Sequence, residues 1–123
     1  MQIVQINNAN DAAKAMQEIG VTSRGAEIMV EKALFQAIRL EGVDTRAANI
    51  LKQAMLSQGA EAAVSAATIN LAAPYTDVLV LATVAQLRRA IPRLKEQPWG
   101  LKAVAGELEE YLDGVMAGFR CPT

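Results

Sequence analysis

The sequence predicts a small α/β fold of the α+β kind: a mixed four-stranded sheet covered by about five helices, in the order β-α-α-β-α-β-β-α-α. Short aliphatic runs suited to strands, above all Asp77 to Val84 with its three valines, alternate with stretches whose apolar residues recur every three or four positions. A length of 123 residues with a 52% apolar share supports one core and not two. Glycine or proline closes most of the runs, at Gly20, Gly42, Gly59 and Pro74. Residues 1–113 are therefore expected to form a single domain and 114–123 a tail.

Ile3, Val4 and Ile6 form a short apolar run that stops at Asn7 and Asn8, as a first strand entering a turn would. Asn10 can cap the following helix, with Ala13, Met16 and Ile19 on one face and Gly20 at its end. Thr22 or Ser23 can cap a second helix that turns Ile28 and Met29 inward and Glu27 and Glu31 outward. Leu34 to Leu40 alternates Leu34, Gln36, Ile38 and Leu40 on one side, the pattern of a half-buried strand. Asp44 caps the clearest helix, where Ala47, Ala48, Leu51, Ala54 and Met55 make the buried stripe and Arg46, Asn49, Lys52 and Gln53 the other face.

Ala62 to Leu71 is alanine-rich but ends in Thr-Ile-Asn-Leu, and reads as a strand broken by Pro74. Asp77 to Val84 is long enough for a strand and too short for a free-standing helix, which places it at the buried centre of the sheet. The residues between these two strands, 72–76, match a hairpin connection, and the strands near Leu34 and Ala62 flank a helix as in a crossover unit. Gln86 to Glu96 buries Leu87, Ala90, Ile91 and Leu94, but Pro92 lacks an N–H and demands a kink or a restart at a cost of ~3 kcal/mol. After a turn at Gln97-Pro98-Trp99-Gly100, a last helix from about Leu101 to Met116 buries Leu101, Val104, Leu108, Tyr111 and Leu112.

The chemistry is sparse. A formal charge of −1 gives no reason to expect nucleic acid or a membrane surface as partner. Histidine is absent, which removes the commonest general base and metal ligand. Cys121 is the only cysteine, so no internal disulfide can form, and with no signal peptide or membrane span in view a cytoplasmic location is expected. The carboxylates Glu27 with Glu31, and Glu107 with Glu109 and Glu110, sit on amphipathic faces where solvation keeps them ordinary. No glycine-rich phosphate cradle occurs, the aromatic residues are scattered, and no metal, cofactor or catalytic residue is assigned.

Two clusters could make contacts. Asn49, Lys52 and Gln53 share one helix at spacings of three and four and could grip a ligand or partner loop, although a solvated face explains them as well. Arg88, Arg89 and Arg93 follow the most buried strand and could bind an anion, against the simpler reading of a basic helix face facing the acidic one after it.

The stretch from Leu40 to Leu101 contains Leu-Glu-Gly-Val-Asp-Thr-Arg-Ala-Ala-Asn-Ile-Leu-Lys-Gln and, at its end, Gln-Pro-Trp-Gly-Leu. Together with Gly59-Ala60-Glu61-Ala62-Ala63-Val64 and Gln86-Leu87-Arg88-Arg89, it resembles the N-terminal accessory domain of dihydropteroate synthase-like proteins, the pterin-binding family of anaerobic bacteria and archaea. The likeness runs from about Ile3 to Leu112, with departures at Ala60, Ala82 and Pro92.

The resemblance implies a non-catalytic domain of a folate-biosynthesis transferase that joins a pterin pyrophosphate to p-aminobenzoate. The catalytic (β/α)₈ barrel needs about 250 residues and its Asn-Val-Thr-Pro-Asp-Ser-Phe signature is not present, so catalysis would lie on a missing C-terminal domain, with 114–123 as the start of a linker. The expected partners are that barrel or a second copy in a homodimer. The alternatives are a module for a small anionic or pterin ligand, and an independent small enzyme without histidine.

Overall fold

The computed structural model describes residues 1–119, so the expectation for Cys121 lies outside the described residues. The chain enters as an extended arm, not as a strand. Ile3 and Val4 are 76% and 56% exposed, and only Ile6 of that run packs against the core. A short apolar run becomes a strand only beside a free sheet edge, and here it lies along helices α1 (Ala9–Ile19) and α2 (Ser23–Val30), across an open groove.

Helix α1 is capped by Asn8, two residues before the expected cap at Asn10: the Asn8 side chain accepts the Asp11 N–H at 2.8 Å, and the Asp11 carboxylate accepts the Asn7 N–H at 3.0 Å. Gly20 ends it at φ 92°. In α2, capped by Thr22, Ala26 and Val30 are the buried residues. Ile28, expected inside, is exposed, and Met29 is only half-buried.

The sheet has three strands, all neighbours antiparallel, which corrects the expected mixed four-stranded sheet. Strand β1 (Phe35–Asp44) and the short β2 (Glu61–Val64) flank the central β3 (Tyr75–Thr83). The missing strand is the N-terminal arm. Strands β1 and β2 both run opposite to β3 and therefore in the same direction, with α3 (Thr45–Ser57) crossing between them. The crossover unit forms as expected, except that the third strand is inserted into its middle. The expected strand from Ala62 to Leu71 stops at Val64. A 3₁₀ turn at Ala66–Thr68 and an irregular stretch lead to β3, so the hairpin connection is longer than residues 72–76.

Opposite β3, β1 carries a bulge in which Glu41 and Gly42 together face Asp77. Gly42 takes φ 65° and donates its N–H to the Asp77 carboxylate at 3.1 Å.

Helices α3, α4 (Val84–Lys95) and α5 (Leu101–Met116) cover one face of this sheet. The core gathers Leu51, Met55, Val78, Val80, Leu87, Leu94 and Leu108, all close to fully buried, with Ile38 packed at its margin, as the spacing of these residues predicts. Helix α4 opens on a reciprocal capping box between Thr83 and Gln86 and runs through Pro92 without a restart. Pro92 sits on the exposed side near the end of the helix, where water can take up the carbonyl its ring leaves unbonded. Tyr111, expected inside, is exposed and donates its hydroxyl proton to the Gln36 side chain at 2.6 Å. Among the described residues no helix is long and apolar enough to cross a membrane.

Candidate functional site

The polar face of α3 turns out to be tied to its own protein. Asn49 donates its amide to the Thr68 carbonyl at 3.0 Å and holds the 3₁₀ turn. Lys52 bridges the Glu61 carboxylate and the Ala62 carbonyl, both at 2.8 Å, so it fastens α3 to the edge strand. Gln53 stands apart from both, on a shallow cleft of about 370 Å³ between α3 and α4.

The three arginines of α4 have different surroundings. Arg88 pairs with Glu31, the C-cap of α2, and Arg93 donates to the Ser57 hydroxyl at 2.9 Å. Arg89 is exposed with no polar partner among the described residues. Arg93 does share the cleft of Gln53, but Glu96 lines the same cleft and its negative charge opposes an incoming anion.

Sequence spacing offers no sign of a corner built around the start of α3. The Arg46 guanidinium is held against the Asp44 carboxylate by two bonds, at 3.1 and 2.8 Å, and lies 4.6 Å above the centre of the Trp99 ring. The Arg46 hydrogen bonds pull the Asp44 carboxyl down to about 2. Beside it a cavity of about 290 Å³ is lined by Leu71, Pro74 and Tyr75. Leu71 and Trp99, both at this corner, are the non-glycine residues with positive φ among the described residues, each at 59°. That conformation disfavours side chains and marks a corner shaped by more than local preference.

The second face of the sheet also departs from an ordinary surface. An antiparallel sheet with one wet face normally alternates apolar and polar residues. Here β3 turns Val78, Val80 and Ala82 to the helices and Leu79 and Leu81 to the other side, and no element among the described residues covers them. Leu79 is 40% exposed and Phe35 on β1 is 62% exposed. Ala37 and Ala63 lie beside the two leucines, so the middle of the face is flat as well as apolar. The signal was present in the sequence as a run of β3 residues apolar at both parities. Burial at the centre of the sheet was expected on that evidence, but only one face is covered.

Among the described residues no three carboxylate, thiol or imidazole groups gather as metal ligands. No family model matches the chain, and no solved structure matches it significantly. Two curated proteins do. The chain is 34% identical over 112 residues to a probable bifunctional folylpolyglutamate synthase/dihydropteroate synthase of Halobacterium salinarum, covering 91% of this chain and 13% of that protein. It is 31% identical over 110 residues to a bifunctional dihydropteroate synthase/dihydropteroate reductase of Helicobacter pylori, covering 89% of this chain and 29% of that protein. The chain thus spans less than a third of either relative, and it is related to a stretch of these dihydropteroate synthase fusion proteins.

Proposed function

We propose that this chain is a non-catalytic domain of the dihydropteroate synthase-like proteins of folate biosynthesis, the N-terminal accessory domain its motifs resemble, and that it acts by contact with protein. The observation that carries this reading is the uncovered apolar face of the sheet around Leu79 and Leu81, which suits a contact surface and offers no reacting group. The polar residues that sequence spacing nominated support it from the other side. Asn49 and Lys52 hold the fold together, and Arg88 and Arg93 have partners of their own.

The test is twofold. Supplied with a pterin pyrophosphate and p-aminobenzoate, the isolated chain is expected to make no dihydropteroate, and product that scales with chain concentration would overturn the proposal. Removing the matching stretch from the Helicobacter pylori relative is expected to alter its assembly while leaving condensation measurable. A folded deletion protein with no activity would place chemistry in the stretch. The ligand-module alternative rests on the cleft of Gln53 and Arg93. It predicts binding heat with phosphate or pterin compounds that is lost in Arg93→Ala.

A further inference from the structure

The cleft between α3 and α4 gathers polar side chains that the fold does not use. Nearby, Asn49, Lys52, Arg88 and Lys95 are each bonded to another part of the chain. Gln53, Glu96 and Gln97, which line the cleft, have no side-chain partner among the described residues. Arg93, the cation of the cleft, spends one of its five N–H donors on the Ser57 hydroxyl at 2.9 Å. Ser57 in turn donates its proton to the Ala54 carbonyl at 2.7 Å, so the guanidinium is held in place before anything binds. Ile50, Ala54 and Leu94 make an apolar floor.

The two charges of the cleft point apart. Gln86, in the first turn of α4, donates its side-chain amide to the carbonyl of Gln58, the C-cap of α3, so α4 runs back along α3. Arg93 reaches towards the Ser57 end, whereas Glu96 stands three residues further on, a rise of about 4.5 Å. Although opposite in sign and one helical turn apart, the two make no ion pair with each other. A simple anion entering the cleft meets the Glu96 carboxylate, and a simple cation meets Arg93. A molecule that carries a carboxylate and an ammonium side by side satisfies both. Glu96 is also the C-cap of α4, where the negative end of the helix adds to its hold on an ammonium. The volume of about 370 Å³ leaves room for an aliphatic side chain over the floor. We infer that the cleft binds a free α-amino acid with an aliphatic side chain, its carboxylate on Arg93 and its ammonium on Glu96, with the amides of Gln53 and Gln97 as further partners. This goes beyond the contact-domain reading and does not depend on it.

Titration of the nitrogen-15-labelled chain with L-leucine to about 20 mM, followed by amide chemical shifts, tests it. Both charges are exposed, so a dissociation constant on the order of 1 mM is expected, with saturable shifts in residues 50–57 and 93–97. N-acetyl-L-leucine, which lacks the ammonium, and L-leucinamide, which lacks the carboxylate, are each expected to bind about tenfold more weakly. Arg93→Gln and Glu96→Gln, with spectra like the wild type away from the cleft, are expected to weaken L-leucine binding by a similar factor. Shifts that do not saturate, that fall elsewhere on the chain, or that a singly charged analogue reproduces at the same concentrations would overturn the inference and leave the contact-domain reading standing. Either variant binding L-leucine as the wild type does would overturn it too.

Discussion

Asp44 ends a strand, caps a helix and fixes an arginine with one carboxylate. Its oxygens accept the Arg46 N–H at 2.8 Å and two guanidinium bonds from the same residue. The lowered carboxyl implies a sign. The native state binds fewer protons than the unfolded chain, whose aspartate titrates near 3.9, so stability present above pH 4 is lost as pH falls towards about 2. Asp77, drawn down mainly by its hydrogen bond with Arg39, and Glu61, by that with Lys52, add to the same loss. Between pH 5 and about 2.5 the melting temperature of Asp44→Asn is expected to fall less than that of the wild type. Equal slopes would dissociate the carboxylate from the effect. Asn49→Ala removes the bond to the Thr68 carbonyl and is expected to cost about 1–2 kcal/mol, with faster amide exchange between residues 65 and 72. The cap at Asp44 was legible in sequence because it acts within one turn. The Arg46–Trp99 stack was not, since nothing local relates the start of α3 to the turn before α5.

Elements were legible in proportion to the length of their pattern. Helix α3 and strand β3 repeat their apolar period several times, and both formed where the period placed them. The N-terminal arm offers only Ile3, Val4 and Ile6, and a run that short takes whatever structure its neighbours leave it. Removing residues 1–5 is accordingly expected to change the unfolding midpoint little, whereas Ile6→Ala, which strips the packed residue of the arm, lowers it measurably. The bulge of β1 depends on Gly42, whose φ of 65° suits glycine although no atom lies within 4 Å of the place a Cβ would take. Gly42→Ala is therefore expected to cost about 1 kcal/mol through backbone strain alone, measured by chemical denaturation. A loss of several kcal/mol would mean that the site is crowded.

At the scale of the molecule, helices on a single side of the sheet make its two faces unequal. Leu108→Ala, in the covered core, is expected to cost about 2–5 kcal/mol, while Leu79→Asn on the open face costs less than about 1 kcal/mol. Comparable losses would mean that Leu79 is packed within the monomer. The apolar periods of the chain told which residues face the core, but the number of layers depends on where each helix docks, which no single stretch records. The place of β3 between β1 and β2 bears also on how the chain comes to be folded. The two flanking strands precede it in the sequence and pair only with it, so a nascent chain that has emerged as far as Pro74 holds both strands without the one that pairs them. Folding of the sheet must wait for Tyr75–Thr83, and until then the aliphatic edges are available to chaperones or to other nascent chains.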